Sequence, residues 1–307
     1  MLTVRAIRWV LLSVLLGVVM TPSATVLAQE APASSGAKAP SLSAPRAMSV
    51  TGLGEWSLAE TYPEQAVWLN LEDDTRALAL FQAELVTPGR GALIVLADEG
   101  QTAAEGILGP LRKALAERGV AALALGLRLP PETLRLNRQR ALVSAPASPD
   151  PEPAAEASVM IDVAEEGASV SGSTDYRAGV RHLLTAALQE LERREYDRVV
   201  VAGVGWSAEY VTDWAVGRDA LAGVVWVAPR FSADQRSGLS KMLEGERRWQ
   251  VLDLHDSGQV VEAQARAADL GRNEVAGYQR QPLALANPPR SEDAERVASR
   301  ISAWLNR

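Results

Sequence analysis

The chain has 307 residues, with 38 acidic and 31 basic side chains, a formal net charge of −7. Such an acidic chain lacks the basic surface that phosphate backbones require, which excludes nucleic acid as an expected partner. The sequence has no cysteine and only two histidines. This excludes disulfides, thiolate metal sites and a cysteine nucleophile, so we expect neither a metal nor a cofactor.

Residues 1–28 have the features of a secretory signal peptide. Arg5 and Arg8 provide a positively charged start, and an apolar run and small residues ending at Ala28 follow. The run from Trp9 to Met20 is shorter than the roughly twenty residues of a membrane-spanning helix. We predict cleavage after Ala28, export to the periplasm and no stable membrane span in the mature protein. An uncleaved N-terminal anchor is the alternative.

Two segments have a composition that cannot support a hydrophobic core. Residues 29–54 are rich in Ala, Pro and Ser, which predicts a flexible tether. Residues 144–175 are rich in proline and acidic residues and interrupt the body of the chain. We predict that this insert is disordered, with an ordered lid as the alternative. The remainder of 55–307 is expected to form one domain.

Strand and helix patterns alternate along that domain. Residues 66–71 and 76–85 flank a turn and predict an antiparallel hairpin. Further strands are predicted at 91–98, 120–127, 198–203, 221–229, 248–255 and 274–286, and helices at 107–119, 176–196, 206–217, 257–271 and 291–307. This order predicts an α/β fold with a mostly parallel central sheet of about eight strands, opened by the hairpin and covered by helices on both faces.

The segment RVVVAGVGWSAEYVTDWA, residues 198–215, resembles the turn that carries the nucleophile in the α/β-hydrolase fold. That turn has small residues two places before and two places after the nucleophile, because strand and helix approach closely. On this register Gly203 and Ser207 are the small residues, and Gly205 takes the nucleophile position. The backbone there is strained for residues with a side chain, whereas glycine adopts it freely.

The position of the catalytic histidine, after the last strand, holds Asn287. Asparagine cannot take a proton from a hydroxyl group at neutral pH. Asp256 or Asp253 fits the position of the catalytic acid, but Asp256 also fits the cap of the helix that follows it. We therefore expect a protein without turnover, acting as a binding or interaction module. The alternative is a divergent, esterase-like serine hydrolase that uses Ser207 with His255 and Asp256.

Backbone amides at the same turn remain candidates for binding. In this fold the oxyanion hole takes one amide from the residue after the nucleophile, here Trp206. A second amide would come from the turn formed by Asp98, Glu99, Gly100 and Gln101. Two such amides at a helix N-terminus bind a carbonyl or carboxylate oxygen without help from side chains. The sequence does not identify the small molecule or protein that would bind.

Four stretches together resemble the bacterial α/β-hydrolase-like family called domain of unknown function 3530: AVWLNLEDDTRALAL, GALIVLADEGQTAAEGILGPLRKALAERGVAALALGL, VVVAGVGWSA and GYQRQPLALA. The second is the most specific, through the Asp-x-Gly-Gln turn that begins at Asp98. The resemblance implies an α/β-hydrolase-like fold and no established activity. Similar members often have histidines where this chain has Ala97 and Asn287, and commonly have glycine at the position of Gly205. These departures argue against residual catalysis.

Overall fold

The computed structural model describes residues 54–72, 75–143, 166–244 and 250–306. They belong to one compact unit, Ser49–Arg307. The predicted signal peptide, almost all of the predicted tether and most of the predicted insert lie outside the described residues. Within the described residues, no helix combines the length and apolar character needed to cross a bilayer.

The described residues form one sheet of eight strands. The strands are β1 (Ala66–Asn70), β2 (Arg76–Gln82), β3 (Ala92–Leu96), β4 (Ala121–Leu125), β5 (Val199–Val204), β6 (Leu221–Val227), β7 (Gln250–His255) and β8 (Tyr278–Pro282). Their order is β1-β2-β4-β3-β5-β6-β7-β8. β2 is antiparallel to β1 and to β4. The other six strands, β4, β3, β5, β6, β7 and β8, pair in parallel in that order. The predicted α/β-hydrolase-like fold, opened by an antiparallel hairpin, is confirmed.

Eight α-helices surround the described sheet: α1 (Glu55–Thr61), α2 (Leu108–Ala116), α3 (Glu132–Val143), α4 (Glu166–Arg193), α5 (Ser207–Ala215), α6 (Ala233–Leu243), α7 (Val260–Arg272) and α8 (Ala294–Leu305). Helices α1, α3 and α6 were not predicted from the sequence. The predicted start of α4, at Tyr176, was too late, because the helix begins at Glu166 and takes in the last part of the predicted insert.

The central strands are apolar on both faces. Every residue of β3, β4 and β5 is buried, as expected for parallel strands between two helical layers. Strand β5 and helix α5 approach very closely, since a Cβ on Gly203 would lie 2.6 Å from the backbone nitrogen of Ala208. The parallel strands bring the turns after β3, β5 and β7 to the same edge of the sheet, where ligands bind in α/β folds.

Candidate functional site at the turn between β5 and α5

Gly205 is at the apex of the turn between β5 and α5. Its φ of 61° lies in the left-handed region, which favours glycine. Its N–H donates to the carbonyl of Val227, and its own carbonyl accepts a hydrogen bond from the N–H of Arg230 at 2.9 Å. The turn is therefore hydrogen-bonded to the segment after β6. A residue without a side chain stands at its apex.

Asp98 occupies two of the amides that the sequence indicated for an oxyanion hole. Its Oδ1 accepts hydrogen bonds from the N–H groups of Trp206 and Glu99, both at 2.9 Å. The side chain is buried, with the residue 8% exposed. Two further amides of the turn are engaged elsewhere, Gly100 with Leu127 O and Gln101 with Asp98 O. A carboxylate of the chain itself thus accepts hydrogen bonds from both of these amides.

The same carboxylate also fills the space above Gly205. A Cβ built on Gly205 would lie 2.3 Å from Oδ2 of Asp98 and 2.4 Å from its Cγ. These separations are far below van der Waals contact, so a side chain at position 205 and the observed position of Asp98 exclude each other. The glycine is required by this steric constraint as well as by its φ angle.

Ser207 is fully buried, and its hydroxyl is engaged by main-chain groups. Its Oγ accepts from the N–H of Val204 at 2.6 Å. Its single hydroxyl proton is within donating distance of two carbonyl oxygens, Leu96 O at 2.9 Å and Val204 O at 2.8 Å. These bonds connect the start of α5 to the ends of β3 and β5. Within the described residues, no hydrogen bond joins Ser207 to His255 or Asp256.

His255 and Asp256 are at the end of β7, at 1% and 4% exposure. Oδ1 of Asp256 accepts from the N–H of Gly258 and caps the 3-10 turn Ser257–Gln259, which is the structural role foreseen for it. Burial lowers the pKa of His255; Asp253 opposes this shift, and Arg280 and Arg266 reinforce it. A buried imidazole with a lowered pKa stays neutral at neutral pH.

Asn287 is connected through Arg230 to the turn between β5 and α5, residues 203–207, which we call the elbow. Nη2 of Arg230 donates to Oδ1 of Asn287 at 2.6 Å, while the main-chain amide of the same arginine binds the carbonyl of Gly205. One residue, Arg230, therefore links the positions expected for the nucleophile and the base. They hold a glycine and an asparagine, with a guanidinium bound to the amide.

Arg138, on α3, covers the site and was not predicted from the sequence. Its guanidinium stacks on the ring of Trp206 at 4.2 Å. It donates to Oε1 of Glu99 at 2.6 Å and to the hydroxyl of Tyr210 at 2.9 Å. Burial raises the pKa of Tyr210, and its protonated hydroxyl donates to the same oxygen of Glu99. A single arginine in a polar helix has no periodicity that distinguishes it from its exposed neighbours.

A second buried carboxylate connects α5 to its neighbours. Glu209 is fully buried. Its Oε1 pairs with Nη2 of Arg177, on α4, and lies 3.7 Å from Nη2 of Arg138. Its other oxygen accepts from the N–H of Ser232 at 2.9 Å. Arg177 also binds Asp213 at 2.9 Å. The charged groups around the elbow therefore bind one another and hold α3, α4 and α5 together.

The sheet order and the elbow define a protein of the α/β-hydrolase class. The apex of its elbow is a glycine. Residues 10–307 match the family described as protein of unknown function (DUF3530), so the chain belongs to that family. No curated protein matches the sequence significantly.

Solved structures with a similar fold include hydrolases of low sequence identity. One is the esterase domain of a Rhodothermus marinus protein, with 13% identity, a TM-score of 0.49, and coverage of 78% of this chain and 96% of that one. An esterase of Pyrococcus furiosus has 11% identity, a TM-score of 0.48, and coverage of 78% and 89%. A dienelactone hydrolase of Anabaena variabilis ATCC 29413 has 14% identity, a TM-score of 0.47, and coverage of 78% and 95%.

Proposed function

We propose that the protein is an exported, periplasmic α/β-hydrolase-like protein without catalytic turnover, which acts as a binding or interaction module. The observation that carries the proposal is the carboxylate of Asp98 on the amides of Trp206 and Glu99. In acyl transfer these donors must be available for the oxyanion that develops in the transition state. A carboxylate already bound there removes that stabilisation.

The other parts of the acyl-transfer machinery support the same proposal. Gly205 offers no nucleophile, and Asn287 offers no base. Arg230 is already bonded to Asn287. The alternative, a hydrolase that uses Ser207, receives no support from the hydroxyl's surroundings, since all its partners are main-chain groups. Activation of a serine requires hydrogen-bond contact with a base.

The test of inactivity uses protein purified from cells that express the full chain. We expect no labelling by a fluorophosphonate probe and no hydrolysis of p-nitrophenyl acetate or butyrate above the buffer rate. An active serine esterase provides the positive control, and Ser207→Ala provides the control for the alternative. Labelling of the wild type that disappears in Ser207→Ala would establish the hydrolase and overturn the proposal.

Export rests on residues 1–28 and is tested separately. Fractionation of the source bacterium or of a bacterial host should find the protein in the periplasm, with its N-terminus at Gln29. Replacing Arg5 and Arg8 by glutamate should retain the precursor in the cytoplasm, because the positive start of the signal is lost. A cytoplasmic wild type that begins at Met1 would contradict this part of the proposal.

A further inference from the structure

A cavity of about 690 Å³ lies next to the turn that follows β3, and neither Gly205 nor Trp206 lines it. Its walls come from α1, β2, α4 and the turns after β3 and β4. Volumes of about 300–1,000 Å³ are typical of small-molecule sites. The wall is mainly aliphatic, with Leu58, Leu78, Leu127, Leu129, Val180 and Leu183 among its residues.

Gly179 is an exposed residue of the cavity lining. It lies inside α4, where glycine costs about 0.5–1 kcal/mol relative to alanine. Its conformation does not require glycine, since no positive φ is recorded for it. Close packing does not require it either, because a Cβ at this position would have no described atom within 4 Å. A larger side chain at this position would therefore extend into open space at the cavity wall.

The mouth of the cavity is charged. Arg76, Arg128 and Asp175 are exposed residues of its lining, and Glu55 is half-buried. None of these four forms an ion pair with another described residue. Leu129 is also at the mouth and is 57% exposed, so apolar surface extends out to the charged rim. Tyr176 is the one aromatic residue among the described lining residues, which favours a flexible aliphatic ligand over a stack of rings.

We propose that this cavity binds a single-chain amphiphile. The aliphatic chain would lie against the leucines and Val180, and a small charged headgroup would stay at the rim beside Arg76 and Arg128. Burial of the chain would supply most of the binding free energy, at about 25 cal/mol per Å² of apolar surface. The inference does not depend on catalytic inactivity. Gly100 and Gln101 of the turn after β3 line the cavity, but Gly205, Trp206 and Ser207 do not.

The experiment measures binding of 11-(dansylamino)undecanoic acid by fluorescence, with dodecanoate and a dodecanoyl lysophosphatidylcholine as competitors below their micellar concentrations. We expect saturable binding that both competitors displace. Stronger displacement by dodecanoate identifies a free carboxylate as the preferred headgroup, and stronger displacement by the lysolipid identifies a phospholipid source. Absence of saturable binding by the wild type would overturn the proposal.

Gly179→Phe is the variant that fills the cavity, and we expect it to weaken probe binding by about tenfold or more, which corresponds to 1.4 kcal/mol. Gly179→Ala retains most of the space and should bind within about twofold of the wild type. Gly238→Phe is the matched control, because Gly238 also lies inside a helix, α6, has no described atom within 4 Å of a Cβ, and is outside the cavity. Equal binding by Gly179→Phe and Gly238→Phe would overturn the assignment to this cavity.

Leu129→Glu provides a second variant in case Gly179→Phe does not fold. Its side chain is largely exposed, so the substitution leaves the core intact, and it puts a negative charge beside the path of the chain. Binding of the anionic probe should fall by about fivefold or more. Unchanged binding by a folded Leu129→Glu protein would contradict the proposal as well.

Discussion

Asp98 and Gly205 depend on each other: the carboxylate lies where the side chain of any other residue at position 205 would begin, with Oδ2 only 2.3 Å from the place of such a Cβ. The backbone of Gly205 also requires a positive φ of 61°. Two separate costs, one steric and one conformational, therefore oppose any substitution of this glycine. They can be separated by experiment.

Gly205→Ala should lower the free energy of unfolding by more than about 3 kcal/mol, the sum of a left-handed alanine and an overpacked contact. Gly217→Ala is the matched control, because Gly217 has a φ of 81° and no described atom within 4 Å of a Cβ. It should cost only about 1–2 kcal/mol. Urea denaturation measures both variants.

The steric part of the cost of Gly205→Ala should disappear when the side chain of Asp98 is truncated. In an Asp98→Ala background, we expect Gly205→Ala to cost about as much as Gly217→Ala, about 1–2 kcal/mol, because the overlapping atoms are gone. A double-mutant cycle gives the difference. If the cost of Gly205→Ala were the same in both backgrounds, the contact between the two residues would not be its cause.

Ser207→Ala should lower the free energy of unfolding by about 1–3 kcal/mol, because the N–H of Val204 loses its buried acceptor. Ser237→Ala is the control: this serine donates to Asp234 O on the exposed face of α6, and its loss should cost about 0.5 kcal/mol or less. A Ser207→Ala protein as stable as the wild type would show that the hydroxyl does not hold the helix to the sheet.

Arg138→Ala should release α3 from the body of the protein. Among the described side chains of α3, only that of Arg138 is buried. Its loss leaves Glu99 without its ion-pair partner. Removing one partner from a buried pair costs about 3–5 kcal/mol. Amide hydrogen exchange in residues 132–143 should become faster than in the wild type. Arg135→Ala, at an exposed position on the same helix, should leave the exchange unchanged; equal exchange in both variants would contradict the prediction.

Stability should fall as the pH decreases below about 6.5, the usual pKa of histidine. The pKa of His255 is lowered in the folded state, chiefly by burial, so the unfolded chain takes up a proton at a higher pH than the folded one. Between the two pKa values the unfolded state binds more protons, and the free energy of unfolding decreases by up to about 1.4 kcal/mol per pH unit. Nδ1 of His255 has no hydrogen-bond partner among the described groups, so a proton there would add an unpaired donor.

Urea denaturation at pH values from about 7.5 to 5 measures this slope. His255→Gln should flatten it, since glutamine does not titrate. His182→Gln removes the partly exposed histidine that lies 3.2 Å from Glu72 and should retain the slope. If the free energy of unfolding depended on pH equally in the wild type and in His255→Gln, groups other than His255 would be responsible for the loss of stability in acid.

The sheet was predictable from the sequence because its central strands are buried on both faces. The segments that form β3, β5 and β6 are continuously apolar. Such a run predicts a buried strand without information about the strands beside it. Helices α3 and α6 were missed for the opposite reason. Most of their described residues face solvent, and they pack through a few side chains only, so they have weak periodicity.

At the elbow, the backbone was more predictable than the side chains. The spacing of Gly203, Gly205 and Ser207 indicated where the chain turns, since close packing and a positive φ restrict the residues allowed. It could not indicate that Asp98 folds back onto the amides of its own turn and of Trp206. That contact joins residues more than a hundred positions apart, and its geometry depends on the pairing of β3 with β5.

The contact between Asp98 and the elbow also restricts how a serine nucleophile could be introduced at position 205. A serine introduced at position 205 on its own would meet the carboxylate and destabilise the fold before it contributed any reactivity. Position 98 would have to change first, a step that brings no benefit by itself, and position 287 would still need a base. A serine nucleophile at position 205 would therefore require substitutions in a fixed order, with a neutral or harmful first step, and libraries that vary position 205 alone should yield few folded variants.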